Sequence, residues 1–215
     1  MVRKTDIRNK AIGGGDERGA ALVEFTIVAF LLLTLVFGIV EFGLAFRDRL
    51  TIGNATQSAA RVGTAIGRDL TADLAILQSL EQTLSTLPGS GVDIVAYVDV
   101  YKANSVGQPV GGCPNGDCNR YFYSYIDGPG PQCDWSPCPD PDNGYSGWNW
   151  SPADRDVEVG NLDVMGIEIA FGHEWVIGSL VPLPDVDCNN NPTPTNCWAD
   201  TALMRMEPQQ FGVGP

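Results

Sequence analysis

One continuous apolar stretch, from Ala20 to Phe46, constrains this chain more than any other feature of its sequence. Only two charged residues interrupt it, Glu24 near its start and Glu41 near its end. The 17 helical steps between them correspond to about 25 Å, close to the ~30 Å hydrocarbon core of a bilayer. A charge inside that core costs about 2.5–3.5 kcal/mol on insertion scales, so both carboxylates are expected near its faces. The stretch predicts a membrane-spanning helix with Glu24 as a functional candidate.

Charge is distributed unevenly on the two sides of this stretch. Residues 1–19 carry five basic and three acidic residues, whereas residues 51–215 carry 6 basic and 20 acidic residues. Because positive charge is retained in the cytoplasm, we expect residues 1–19 inside and the acidic remainder outside, although Arg47 and Arg49 weaken this bias. An acidic outer part without a basic patch excludes nucleic acid as a partner.

The residues at the two ends of the apolar stretch resemble a known family. RGAALVEF at residues 18–25 is followed, after the apolar residues, by EFGLAF at residues 41–46. This arrangement resembles the TadE-like family of tight-adherence (Flp) pilus proteins and the prepilin-type leader of type IV pilins and pseudopilins. Weaker similarities to the family lie at residues 54–63 (NATQSAARVG) and 204–208 (MRMEP).

The resemblance implies that a prepilin peptidase removes a leader between Gly19 and Ala20, which leaves Glu24 as the fifth residue of the mature chain. In that family this glutamate helps subunits to enter the helical assembly, and Glu24, Phe25 and Glu41 are the expected assembly residues. The implied partners are other pilins or pseudopilins, the assembly machinery, the peptidase and the membrane. The implied location is the bacterial inner membrane, with a single pass, or the extracellular pilus.

Two other interpretations of the N-terminal region remain open. An ordinary secretory signal has an apolar core of about 7–15 residues and a small-x-small cleavage site. The apolar run here is longer, and the position after Ala45 is the only such site. An uncut single-pass anchor is the second interpretation, and it leads to an alternative function: a surface protein whose outer domain binds glycans or calcium.

All six cysteines lie in the part that we expect outside, where an even number of cysteines favours disulfides. Sequence alone does not fix their connectivity. Because each neighbouring pair flanks a turn rich in Pro, Gly or Asn, we expect the disulfides Cys113–Cys118, Cys133–Cys138 and Cys188–Cys197. A zinc site is the alternative, although no histidine is near these cysteines in the sequence.

Helices are predicted to follow the membrane span. Apolar residues recur three to five positions apart along an amphipathic stripe: Leu50, Ala55, Ala59, Val62 and Ile66. A second helix is expected after Asp69 or Thr71 and ends before Pro88. Small residues of the first helix (Ala55, Ala59, Ala60 and Gly63) allow another backbone to approach, either the chain's own sheet or a neighbouring subunit.

Four later segments are rich in β-branched and aromatic residues or alternate in polarity, and they predict strands: residues 92–101, 119–126, 162–171 and 201–206. Residues 127–156 are crowded with Pro, Gly, Asp and Trp, which predicts a long structured or disulfide-pinned loop. The expected fold is therefore α+β: a long N-terminal transmembrane helix continues into an extracytoplasmic helix that packs on a small antiparallel β-sheet.

This fold divides the chain into four expected segments. Residues 1–19 are the cytoplasmic leader, 20–46 the transmembrane helix, 47–89 an amphipathic helical segment and 90–215 the β-rich head outside the membrane.

Two acidic runs are weak calcium candidates, one with Asp140 and Asp142 and the other with Asp185 and Asp187. They place oxygen ligands at alternating positions, but neither run has the closing glutamate of an EF-hand loop. Polar turns are the simpler interpretation, so no cofactor is expected.

The remaining side chains do not predict catalysis. Three tryptophans with a tyrosine lie in loop-like surroundings, where they either bind a ligand such as a glycan or cover a small core: Trp135, Trp148, Trp150 and Tyr145. His173 is the only histidine, and no nucleophile motif surrounds it. The sequence as a whole predicts a non-enzymatic protein, a minor pseudopilin or assembly component of a tight-adherence pilus.

Overall fold

The computed structural model describes residues 16–87, 94–123, 133–173, 175 and 197–209. The elements are two helices and five strands: α1 (Asp16–Ile66), α2 (Ala72–Leu84), β1 (Val95–Lys102), β2 (Cys118–Tyr123), β3 (Trp135–Ser136), β4 (Val164–Phe171) and β5 (Trp198–Arg205). Two short 3-10 turns, Pro141–Asn143 and Pro152–Asp154, lie between β3 and β4. The chain divides into two compact units, residues 1–43 and residues 44–215.

In the first unit, α1 presents an apolar surface. Leucine and alanine favour a helix, and the helix contains no proline. The hydroxyl groups of Thr26 and Thr34 donate to the carbonyl oxygens of Leu22 and Leu31, at 2.7 and 2.8 Å. These polar side chains are therefore satisfied within the helix itself.

In the second unit, α1 buries a face made of small residues. Ala55, Ala59 and Ala60 are fully buried, and Gly63 is buried beside them. A Cβ atom at Gly63 would lie 2.6 Å from Ile76 Cδ1 and 2.8 Å from the Met165 sulfur. Larger side chains on this face would push α2 and the sheet away from α1.

The C-terminal end of α1 is closed by backbone and side-chain hydrogen bonds. Gly67 follows the helix with φ of +68°, a left-handed conformation that favours glycine. Its N–H donates to the Gly63 carbonyl at 3.0 Å. The Gln209 side-chain amide donates to the carbonyl oxygen of Ile66 at 2.7 Å, so a residue of the C-terminal segment caps the helix.

A short turn leads from α1 into α2. The Asp69 carboxylate accepts hydrogen bonds from the Thr71 N–H (2.8 Å) and hydroxyl group (2.7 Å). These two bonds lower the pKa of Asp69. Apolar residues spaced three and four apart then direct one face of α2 into the core: Ile76, Leu77, Leu80 and Leu84, all fully buried.

The strands form one antiparallel sheet in the order β3-β2-β1-β4-β5, with β1 at its centre. Val98 pairs with Tyr121 on one side, and Val100 pairs with Ile167 on the other. Because side chains alternate along a strand, Val98 and Val100 join the core with the helix residues. Tyr101 joins a smaller cluster with Ala103 and Cys118.

The structure confirms the predicted α+β fold, with a long apolar N-terminal helix and a small antiparallel sheet. Several boundaries differ from the prediction by one to three residues. Within the described residues, α1 begins at Asp16 rather than near Gly19, and β5 begins at Trp198 rather than Thr201. β3 was not predicted, because its two residues lie inside the Pro- and Gly-rich run. The expected helix stop at Pro88 and parts of the expected strands (residues 92–93 and 124–126) lie outside the described residues.

The prediction of an apolar stripe was wrong for one residue, Leu50. Leu50 is 54% exposed, whereas Ile52 is fully buried two positions later. The buried face also contains Thr56 and Thr64, whose hydroxyl groups bond to backbone carbonyls of α1. The residues of this face share small size rather than low polarity. The pattern of apolar residues therefore predicted the position of the face only approximately.

We expect Gly63→Leu to lower the free energy of unfolding by about 1–3 kcal/mol, because the added atoms overlap Ile76 and Met165. Gly38→Leu is a matched control on the same helix, since a Cβ there meets nothing within 4 Å. Thermal unfolding of the full-length protein in detergent, followed by circular dichroism, measures both variants. Equal melting temperatures for the two variants would contradict close packing at Gly63.

Candidate functional site

The first candidate site is the apolar surface of α1. The helix from Gly19 to Ile66 is long and apolar enough to cross a membrane, by length and composition. Its large side chains point outward over the apolar stretch; Phe25 is 70% exposed and Phe30 is 71% exposed. An exposed apolar surface of this extent is unusual on a protein that contacts only water.

The expected processing site lies within this helix. Gly19 and Ala20 are both exposed, and both belong to α1. A Cβ atom at Gly19 meets no other atom within 4 Å. Packing against the described parts of the chain therefore does not account for glycine at this position.

The two acidic residues of the apolar stretch lie in different surroundings. Glu24 is exposed, and no described residue pairs with its carboxylate. Glu41 is only 2% exposed. The sequence placed both carboxylates near the faces of a bilayer, and the structure separates them into an outward-facing acid and a buried one.

The two weaker family-like segments pack into the same core in the second unit. Residues 54–63 supply the small-residue face of α1, and Met206 from the segment 204–208 is buried in the same core. The Glu207 N–H donates to the Thr64 carbonyl at 3.3 Å. These segments therefore share one structural role, the closure of the head on α1, and the small residues pack within their own chain.

Two of the three expected disulfides are present, Cys113–Cys118 and Cys133–Cys138. The first closes the loop that enters β2, and the second surrounds β3. The third expected pair, Cys188–Cys197, includes Cys188, which lies outside the described residues. In the described part of the chain, three possible metal ligands come together, Asp99, Cys113 and Cys118, but both sulfurs belong to a disulfide.

The first calcium candidate forms a capped turn. The Asp140 carboxylate accepts hydrogen bonds from the Asp142 N–H at 2.9 Å and from the Asn143 side-chain amide at 2.5 Å. Both carboxylate oxygens of Asp140 thus serve the 3-10 turn Pro141–Asn143. Asp185 and Asp187, the second candidate, lie outside the described residues.

The tryptophans of the loop region serve mainly as core residues. Trp135 and Trp150 are 2% and 3% exposed, and the Trp135 N–H donates to the Glu81 carboxylate. Trp148 is half-buried and meets Tyr145 edge to face at 4.8 Å. Two of these three side chains are unavailable to a ligand, as expected if they cover a small core.

His173 is bound to α1 rather than placed beside a nucleophile. Its Nδ1 lies 2.9 Å from an Asp48 carboxylate oxygen. The ring stacks on Trp198 with an interplanar angle of 9° and meets Trp175 edge on. These contacts tie His173 to Asp48 of α1 and to Trp198 of β5.

A charged cluster on the face of the sheet opposite the helices was not identified from the sequence. The Arg120 guanidinium donates two hydrogen bonds of 2.7 Å to Asp99 and lies 3.9 Å from the centre of the Tyr97 ring. Burial raises the pKa of Asp99, against the opposing effect of Arg120. Burial, with the nearby charge of Asp99, also raises the pKa of Glu168.

This cluster lines a cavity of about 280 Å³ beside the Cys113–Cys118 disulfide. Burial raises the pKa of Tyr101, which also lines the cavity, to about 12. The sequence did contain a signal, because Asp99 and Glu168 each interrupt an apolar strand at a position that faces away from the helices. The side chains that line the cavity include the Asp99–Arg120 ion pair and no activated nucleophile.

A second charged group was also missed, and it lies inside the core. The Asp73 carboxylate pairs with Arg155 and accepts hydrogen bonds from the Tyr121 hydroxyl (2.6 Å) and the Asn119 amide (2.8 Å). Asp73 and Arg155 are fully buried, and Arg155 lies over the Trp150 ring at 4.6 Å. The network joins α2, β2 and the loop before β4 around one buried charge pair.

The comparisons with known proteins agree with the geometry of α1. The family model described as "TadE-like protein" matches residues 19–61. The chain thus carries a TadE-like N-terminal region, which associates it with tight-adherence (Tad) pilus proteins. The matched region contains the apolar surface of α1 and three alanines of its small-residue face, Ala55, Ala59 and Ala60. No curated protein and no solved structure matched this chain.

We expect Asp73→Asn to destabilise the head by about 3–5 kcal/mol, because it leaves the buried Arg155 charge without its partner. Lys102→Met is the comparison, since the Lys102–Asp163 pair (2.8 Å) is partly exposed and its loss costs about 1 kcal/mol or less. Urea unfolding followed by tryptophan fluorescence measures both. A smaller loss for Asp73→Asn than for Lys102→Met would refute the importance of the buried pair.

We expect Glu168→Gln to stabilise the head near neutral pH. The pKa of Glu168 is raised in the folded state, so its contribution to stability is present below the unfolded value of 4.5 and is lost as pH rises through the folded value. The variant should therefore melt above the wild type at about pH 7 and together with it at about pH 4. Melting temperatures of both proteins across this range provide the measurement, and a lower melting temperature of the variant at neutral pH would be the opposite result.

Proposed function

We propose that this protein is a minor pseudopilin or assembly component of a bacterial tight-adherence pilus. The observation that carries the proposal is the exposed apolar surface of α1 within the region that matches TadE-like proteins. Such a surface requires an apolar environment, first the bilayer and then the apolar helices of neighbouring subunits. The role is structural rather than catalytic.

In this proposal the chain has four functional segments. Residues 1–19 form a cytoplasmic leader, residues 20–46 cross the membrane, residues 47–89 continue as helices, and residues 90–215 form the head outside. The distribution of charge supports this orientation in the membrane, because residues 51–215 carry 20 acidic and only 6 basic residues. The two disulfides fit the oxidising side of the membrane.

Leader removal is the second part of the proposal. Prepilin peptidase cuts between Gly19 and Ala20 and creates a new amino group on Ala20. In α1 the backbone around this bond is helical, and a helix keeps its carbonyl groups in hydrogen bonds. Glycine is about 1 kcal/mol less favourable than alanine inside a helix, so Gly19 lowers the cost of opening the helix at the bond.

Glu24 then acts in assembly, with Phe25 and Glu41 as further assembly residues. The Glu24 carboxylate faces outward without a partner among the described residues. An unpaired charge in an apolar environment is costly. Pairing with the Ala20 amino group of a neighbouring subunit removes that cost and selects the correct position for the incoming helix.

We expect Glu24→Gln to leave insertion and leader removal unchanged and to abolish incorporation into pili, because only the charge is lost. Thr26→Val is the matched control, since Thr26 is also exposed on α1 and its hydroxyl bonds only to Leu22 of the same helix. Mass spectrometry of the membrane-extracted protein gives the N-terminal residue, and immunoblots of sheared pili give incorporation.

Two results would overturn the proposal. A wild-type protein that still begins at Met1 would exclude leader removal and favour an uncut surface anchor. Normal pilus incorporation of Glu24→Gln would exclude the assembly role of Glu24.

A further inference from the structure

An aromatic cluster is attached to α1 where the helix leaves its apolar stretch. We name His173, Trp175 and Trp198 the neck cluster. His173 Nδ1 lies 2.9 Å from Asp48 of α1, and the ring centres of His173 and Trp198 are 5.8 Å apart. Trp175 meets His173 edge on at 4.8 Å. These contacts fix the cluster to α1 at the level of Asp48.

The position of Asp48 relative to a bilayer can be estimated from the proposed membrane span. The inference therefore rests on the proposed function. A hydrocarbon core of ~30 Å takes about 20 helical residues, so a span that starts at Glu24 reaches the outer face near Leu44. Asp48 lies four residues further, about 6 Å along a helix. The headgroup layer is about 5–7 Å thick on each side, so Asp48 and the neck cluster lie within it.

The chemistry of the cluster suits this layer. Tryptophan is enriched at membrane interfaces because its ring is apolar and its N–H is polar. Trp175 and Trp198 are both partly exposed. Arg47, with a side chain 45% exposed, and Arg49, which is also exposed, lie on either side of Asp48 and can reach lipid phosphates.

The other three tryptophans differ in position. Trp135 lies on β3, at the opposite edge of the sheet from the β5 residue Trp198. Trp135 and Trp150 are buried, and Trp148 belongs to the loop between β3 and β4. Two of the five tryptophans therefore belong to the neck cluster, and the other three lie on β3 or in the loop between β3 and β4.

We propose that the neck cluster binds the headgroup layer of the bilayer that α1 spans, with glycerophospholipids as its ligand. The cluster holds the base of the head against the membrane while the subunit waits for assembly. Entry into a filament then replaces lipid around Trp175 and Trp198 by neighbouring subunits.

The test uses the full-length protein in phosphatidylcholine vesicles whose acyl chains carry bromine, a quencher of tryptophan fluorescence, at shallow or deep positions. Flotation of the vesicles first establishes that the protein is anchored. We expect shallow bromine to remove up to about two fifths of the emission, because two of five tryptophans lie in the cluster, and deep bromine to remove much less.

Variants assign the quenching to the cluster. Trp175→Phe/Trp198→Phe should lose the shallow quenching, and Trp148→Phe, a matched change in the loop, should retain it. The wild-type comparison of shallow and deep bromine decides the depth even if the double variant does not fold.

The outcomes separate the two proposals. A protein that floats with the vesicles but shows no shallow quenching is anchored, and the lipid-bound cluster is then refuted. Crosslinking of Trp175 to a second copy under these conditions would also refute it and identify a neighbouring subunit as the occupant. A protein that does not float overturns the membrane span and the inference together.

Discussion

A single helix has to satisfy two opposite packing requirements, and the rest of the structure depends on how it does so. Over the apolar stretch α1 turns large side chains outward, as at Phe30. Beyond Leu44 it buries a face of small residues, as at Ala59. A helix is suited to the first part because all of its backbone groups bond internally, and the threonine hydroxyls there bond back to the same helix. The second part needs small residues because α2 and the sheet lie directly against it.

The head combines this close packing with one fully buried and one partly buried charge pair. An ion pair that replaces apolar packing adds little net stability, since both ions lose their water. The Asp73–Arg155 pair has a different effect, because its hydrogen bonds reach Tyr121 and Asn119 on β2 and so fix the position of α2 against the sheet. The Asp99–Arg120 pair joins β1 to β2 on the other face. Together the two pairs specify how the layers are arranged.

Patterns of local sequence predicted much of this fold. The long apolar helix, the second helix and four of the five strands follow from apolar runs, alternation and capping residues, which act over a few neighbouring positions. The strand β3 was missed because two residues carry too little pattern. Leu50 was misplaced because the buried face is defined by small size, and that requirement comes from partners distant in the sequence, Ile76 and Met165.

Functional roles could be expected only for residues in the part of the sequence that resembles a family. Glu24 and Gly19 stand in the segment that matches TadE-like proteins, and their expected roles come from that resemblance. The charged clusters around Asp73 and Asp99 could not be found in this way, because their partners are 21 to 82 residues apart in the sequence. Only the folded chain brings such groups together.

The capping of α1 by Gln209 has a consequence for the order in which the molecule is made. The residues that cover the C-terminal end of α1, Met206 to Gln209, are synthesised long after the helix itself; Gln209 follows Ile66 by 143 residues. Until they emerge, the alanine-rich face of the helix lacks part of its cover, and the head cannot close. Translation therefore delivers the apolar helix well before the residues that complete its cover, and a product terminated before Met206 would leave this face of the helix partly uncovered.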